Sequence, residues 1–210
     1  MSLADIDAAA QALGLIVMGG ERLNGATRIL LGAGPDFWAA LQAAPEGQDG
    51  KPDPVDRYST RVINALAREL GATADFPFGG PPYTPFIAWA TASGRAWPSP
   101  TGMLVHDTAG LMISYRGALT LPRPVALPDT PTRKPCDTCP DQPCATACPV
   151  NALTAHAPYD VPACHAYLDT PAGQDCLTQG CRARRACPVS QAFGRPPAQS
   201  EHHMRAFHPS

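Results

Sequence analysis

The chain has 210 residues, a formal net charge of −2 and only 16% charged residues. That length suits one large domain or two small ones, and the charge balance gives no electrostatic case for nucleic-acid binding. The opening MSLADIDAAAQALG carries two aspartates and no basic region, unlike a secretory signal, and no apolar run approaches the ~20 residues that span a bilayer. A cytoplasmic protein is expected, with no membrane partner and no nucleic-acid partner, in a compartment that keeps thiols reduced.

The first 125 residues read as α+β. A short helix over 6–13 leads into GLIVMGG (14–20), and RILLGAG (28–34) follows; both are apolar runs bounded by glycine, which predicts buried strands. PDFWAALQAA has a proline suited to the first turn of a helix. QDGKPDP (48–54) predicts a turn. Val55, Tyr58, Val62, Leu66 and Leu70 then recur at steps of three and four, an amphipathic helix closed by Gly71. PPYTPFIAWATASG holds another helix, and MLVHDTAGLMISYRGAL predicts a hairpin with TAG as its turn. LPRPVALPDTPTRKP (121–135) is studded with proline and reads as an extended linker. Beyond it come short helices and loops around cysteine, then a terminal helix near 200–207.

All eight cysteines lie between Cys136 and Cys187. Staples for a small secreted fold would be spread along the chain, so metal is the better reading of this crowding. The spacing is Cys136-x2-Cys139-x4-Cys144-x3-Cys148-Pro149, then Cys164-x11-Cys176-x4-Cys181-x5-Cys187-Pro188. Two groups of four, each ending in Cys-Pro, follow the logic of bacterial two-cluster ferredoxins. There, three close cysteines hold one 4Fe–4S cube and the cysteine before proline reaches the other cube. Soft thiolates are the ligands iron–sulfur clusters require. On that rule one cluster takes Cys136, Cys139, Cys144 and Cys187, and the other takes Cys164, Cys176, Cys181 and Cys148. The four-residue middle spacer and the looser second group depart from the usual pattern. Two zinc sites of four thiolates each are the competing reading, although such sites usually pair two Cys-x2-Cys knuckles and only one such pair exists here.

A ferredoxin module needs far fewer than 210 residues, so the first 125 should serve the partner in electron transfer. DPVDRYSTRVINALAREL, TRILLGAGPDFWAAL and GMLVHDTAGLMISYRGALTLPRPVALPDTPTRKP resemble the core of the cobalamin-processing family of the cblC type. Gly94, GMLVH, Gly110, the cysteine pattern and CHAYL at 164–168 equally resemble epoxyqueuosine reductases, which join a related domain to a two-cluster module. The resemblance covers roughly residues 25–190. It implies a nitroreductase-like, corrinoid-binding domain over 1–125 and a ferredoxin-like two-cluster domain over 126–210. Its cofactors would be two 4Fe–4S clusters and cobalamin.

The departures bear on function. Thr108 and Gly80-Pro81 stand where the glutathione-using animal members have arginines, which suits a protein fed by its own clusters. The helical repeats with which epoxyqueuosine reductases grip tRNA do not follow the cysteines.

The resemblance implies an oxidoreductase that passes single electrons from an external donor to a bound corrinoid, reducing it or removing its upper ligand. A ferredoxin-type carrier docking to a partner enzyme is one alternative. A cobalamin-dependent reductase of a small organic substrate is the other. Tyr83, Trp97, His106, Tyr115 and Arg116 are the candidate corrinoid contacts, aromatic faces suiting a flat macrocycle and Arg116 suiting an amide oxygen. Core packing is the alternative role of each aromatic. Arg182, Arg184 and Arg185, inside the second cysteine group, could dock an acidic donor or form a solvated basic face.

Overall fold

The computed structural model describes residues 1–209 and is a mixed α+β fold. Two compact units share the chain: Met1–Arg95 with Ser114–Pro131, and Ala96–Ile113 with the stretch from Thr132 onward. The chain therefore leaves the first unit, contributes a short segment to the second, and returns.

The first unit contains α1 (Leu3–Gln11), β1 (Leu15–Arg22), β2 (Thr27–Ala33), α2 (Phe37–Ala43), α3 (Pro45–Gln48), α4 (Pro54–Leu70), β3 (Thr73–Asp75) and α5 (Phe86–Ala92). After the excursion through β4 (Ala96–Pro98) and β5 (Leu104–His106), it is completed by β6 (Tyr115–Leu121). Its antiparallel sheet has the order β1-β2-β6-β3.

Local chemistry sets these boundaries. Asp5 and Ser2 cap α1 reciprocally: the Ser2 N–H donates to the Asp5 carboxylate at 2.7 Å, and the Asp5 N–H donates to Ser2 Oγ at 3.3 Å. Gly71, at φ 61, ends α4 in the left-handed conformation that glycine adopts without a Cβ clash. The apolar face of α4 (Val55, Tyr58, Val62, Ile63, Leu66, Leu70) packs with Ile29, Leu31, Leu119 and Leu121 of the sheet and with Phe37 and Leu41 of α2. Each large side chain so buried contributes about 1.5–3 kcal/mol. Tyr58 meets Phe37 edge to face at 5.6 Å and donates its hydroxyl to the Leu13 carbonyl at 3.0 Å.

Three expectations change. Pro35 stands ahead of α2, whose N-cap is Asp36, so the proline leads into the helix from outside it. Of the hairpin over 103–119 only the turn forms, His106 and Gly110 exchanging backbone hydrogen bonds at 3.0 Å; β5 otherwise pairs with β4 (Trp97 opposite Val105), while β6 lies between β2 and β3 in the other sheet. Alternation along a strand decides which face is buried but not which strand it meets. The stretch 121–135 is not wholly a free linker. Leu121 closes β6, and buried Val125 donates its N–H to Thr27 Oγ1 at 2.8 Å.

The second unit has the β4–β5 ribbon, three 3-10 turns (Pro135–Thr138, Pro143–Ala145 and Pro171–Gly173), and α6 (Val161–Leu168), α7 (Gln174–Gln179), α8 (Arg182–Ala186), α9 (Pro188–Phe193) and α10 (Pro197–Phe207). The terminal helix packs on α7. Among the described residues no helix is long and apolar enough to cross a membrane.

Candidate metal centre

Proline-led turns deliver the first group of cysteines. Pro135 opens the turn that carries Cys136, and Pro143 opens the one that carries Cys144. Fixed φ and a dispensable N–H suit proline to that position. The Lys134 N–H donates to the Asp137 carboxylate at 3.2 Å, and the Cys139 N–H donates to the Cys136 carbonyl at 3.3 Å.

Cys187 joins them from the far end of the sequence. Pro188 is the first residue of α9, and it holds Cys187 extended (φ −66, ψ 123) at the helix entrance. A cavity of about 240 Å³ is lined by Cys136, Cys139, Cys144 and Cys187 together with Val105 and Leu111. Val105 and Leu111 form one apolar cluster with Cys144 and Cys187, and Trp97, Met103 and Val189 pack against it.

The excursion segment is what supplies that apolar wall. Leu111 donates its N–H to the buried Ser190 Oγ at 2.8 Å, and Arg184 donates to the Leu111 carbonyl at 2.9 Å. Arg195 donates to the Met112 carbonyl. Gly110, at φ 57, passes so close to the Ser190 backbone that a Cβ there would collide with it.

Helices present the second group. Cys164 lies in α6, capped by Asp160, whose carboxylate accepts the Ala163 N–H at 2.9 Å. Cys176 lies in α7, and Cys181 is the N-cap of α8. Cys148 begins a turn that its carbonyl closes by accepting the Asn151 N–H at 3.2 Å. Leu168, Cys176 and Leu177 are buried together, with Cys164, Tyr167 and Met204 against them.

Electrostatics divide the thiols the same way. Burial pushes Cys136 up to about 11, with the Cys144, Cys187 and Cys139 sulfurs adding repulsion. Cys144 is raised by burial and then by Cys187 and Cys139. In the other group, burial raises Cys164, the Tyr159 hydroxyl hydrogen-bonded to its sulfur opposes that rise, and Cys181 and Cys148 add to it. Cys176 is raised by burial, opposed by the Arg182 backbone N–H, and raised further by Cys181.

None of the eight thiols is in a disulfide. Among the described residues, no group of three or more His, Cys, Asp or Glu side chains is arranged to hold a single metal ion. One zinc draws four sulfurs to about 2.3 Å from a common centre. A four-iron cube takes one thiolate at each of four corners, so it needs a wider set of donors. Four soft sulfurs lining one cavity fit the second requirement.

The candidate corrinoid contacts fall in both units. In the first, Tyr83 is 68% exposed in the loop before α5. Tyr115 opens β6 with its ring 6.3 Å from Phe86. Arg116 pairs with Asp56 at 3.0 Å and donates Nε–H to the Tyr115 carbonyl at 2.8 Å, and burial lowers its pKa. In the second unit, Trp97 packs against the apolar wall of the first cysteine group. His106 is fully buried, and its Nδ1 accepts the N–H groups of Thr108 at 3.1 Å and Ala109 at 3.3 Å. A separate cavity of about 410 Å³ in the first unit is bordered by Val17, Gly19, Arg22, Ser93, Arg95 and Leu127. Neither cavity is lined by any of the five candidates.

The arginines of α8 have partners. Arg182 and Arg185 both bind Asp175, and Arg184 holds the Leu111 carbonyl. Sequence reasoning passed over Ser190 and Tyr159, each of which bears on a cysteine group. Only folding brings them there, and nothing in their local sequence sets them apart. No protein-family profile matches the chain, and no curated protein matches it significantly.

Proposed function

We propose that this chain is an iron–sulfur redox protein holding two 4Fe–4S clusters, one on Cys136, Cys139, Cys144 and Cys187 and the other on Cys148, Cys164, Cys176 and Cys181. A single observation carries the reading: Cys187, remote in sequence, lines one cavity with Cys136, Cys139 and Cys144, as the crossed Cys-Pro rule requires. When bound, such clusters supply reversible one-electron transfer at a potential tuned by burial and hydrogen bonding.

The protein's own contribution is to hold the thiolates, keep water from the first group with Val105 and Leu111, and fix both Cys-Pro corners. The fold on this reading is a ferredoxin-like two-cluster module beside a nitroreductase-like domain. The acceptor we propose is a corrinoid, on the strength of the sequence resemblance, which makes the protein a cobalamin-reducing or dealkylating oxidoreductase. Anaerobic titration of hydroxocobalamin into the reduced protein tests this: reduction of cobalt with a bound-corrinoid spectrum is expected. An unchanged corrinoid spectrum would reject the acceptor and leave a ferredoxin-type carrier.

A further inference from the structure

Tyr159 stands one residue ahead of Asp160, the N-cap of α6, and Cys164 is the fourth residue of that helix. The Asp160 carboxylate accepts the Ala163 N–H at 2.9 Å, which fixes the angle at which the chain enters the helix. Side chains just before an N-cap and four residues into the helix then face each other. Tyr159 accordingly reaches Cys164, and its hydroxyl is hydrogen-bonded to the Cys164 sulfur.

The surroundings hold that approach in place. The Asp160 N–H donates to the Ala152 carbonyl at 2.9 Å, and the Asn151 N–H closes a turn on the Cys148 carbonyl at 3.2 Å. Tyr159 is thereby tied to the limb that carries Cys148, assigned above to the same cluster as Cys164. The Tyr159 ring stacks on Phe207 of α10 at 6.3 Å, with the planes 18° apart. Phe207 also meets the His165 ring at 4.6 Å. His208 bonds His165 Nδ1 at 2.7 Å and the Asp169 carboxylate at 2.8 Å. The end of the terminal helix therefore pins the tyrosine ring against the start of α6. The first cysteine group has a different setting, faced by Val105, Leu111 and Val189.

Chemistry decides the direction of the bond. A phenol keeps its proton at neutral pH, and a cysteine that ligates iron has given its proton up. Tyrosine donates and sulfur accepts. Resting on the two-cluster reading, we infer that Tyr159 is a positioning residue for the second cluster: its O–H donates to the Cys164 thiolate and so raises that cluster's reduction potential. A donor to ligand sulfur stabilises the more negative reduced state over the oxidised one, which moves the potential upward.

The test is EPR-monitored redox titration of the iron-loaded protein and its Tyr159→Phe variant, with Cys176→Ser identifying the second cluster's signal. Phenylalanine keeps the ring, its stacking on Phe207 and its place at the helix entrance, and removes only the donor. The second cluster's potential is expected to fall while the first stays fixed, at unchanged iron content. An unchanged second potential at full iron content would overturn the inference. Loss of the second cluster's iron from this variant would overturn it too, because the hydroxyl would then be a structural prop. Pulsed EPR in heavy water gives an independent answer. A deuteron coupling on the second signal that is present in the parent and missing from Tyr159→Phe supports the inference, and identical couplings overturn it. Failure of the parent to hold iron would strike the two-cluster reading itself, an outcome distinct from all of these.

Discussion

At the scale of single residues, Cys187 and Cys148 make the sharpest predictions because each belongs with the group it does not follow in sequence. Cys187→Ser should disable the cluster on Cys136, Cys139 and Cys144 and leave the other intact; Cys148→Ser should do the reverse. Iron assay with EPR reads this directly, and loss of the sequence-adjacent cluster in either variant would refute the crossed assignment.

Protonation follows from the same burial. Cys136 rises from 9.0 to about 11, so the folded, metal-free chain holds this proton more tightly than the unfolded one. Its contribution to stability is fully present below pH 9 and disappears as pH climbs through 11. Denaturant melts of metal-free protein across that window should show the decline, and Cys136→Ala should flatten it. Because ligation needs thiolates, loading releases protons and should be favoured by higher pH.

His106 shows how a strand-end histidine, open to either a cofactor contact or a purely local role, is placed by the fold: its Nδ1 accepts the backbone N–H groups of Thr108 and Ala109 in its own turn. His106→Ala should cost on the order of 1–3 kcal/mol of stability for those donors, measurable by chemical denaturation. No change in stability would mean that the turn does not depend on the ring.

At the scale of elements, periodicity was a reliable guide wherever a segment buried one face against its own neighbours. The pattern Val55–Tyr58–Val62–Leu66–Leu70 and the left-handed stop at Gly71 are local features, and α4 follows them. The same logic failed over 103–119, where the two alternating runs were correct as strands and wrong as partners. Pairing is chosen by the rest of the fold, and here the chain changes unit between them. Gly110 lies at that change and holds the excursion segment against α9. Gly110→Ala combines a strained left-handed φ with a collision against the Ser190 backbone, and should cost about 2–3 kcal/mol or more. It should also weaken retention of the first cluster, since Leu111 belongs to that cavity wall. Normal stability and normal iron retention in this variant would remove the segment from any role at the site.

At the scale of the whole molecule, the division of the chain is interleaved where the sequence suggested one cut near residue 125. Composition could show that cysteine is confined to the last part of the chain. It could not show that Ala96–Ile113, which contains no cysteine, supplies walls to the cavity of the first cysteine group, because that depends on contacts across some 80 residues such as Leu111 with Ser190. The cysteine groups were legible because ligand spacing is written directly in sequence. Tyr159 was not: in AHAPYDVPAC it resembles any loop tyrosine, and only the capped start of α6 brings it to Cys164.

The central claim is that these eight sulfurs hold two cubes, and it is met most directly by an anaerobic assay of iron and acid-labile sulfide on the intact chain. The account predicts about eight irons and about eight sulfides per chain, four of each per cluster. Stoichiometric zinc without sulfide would contradict it.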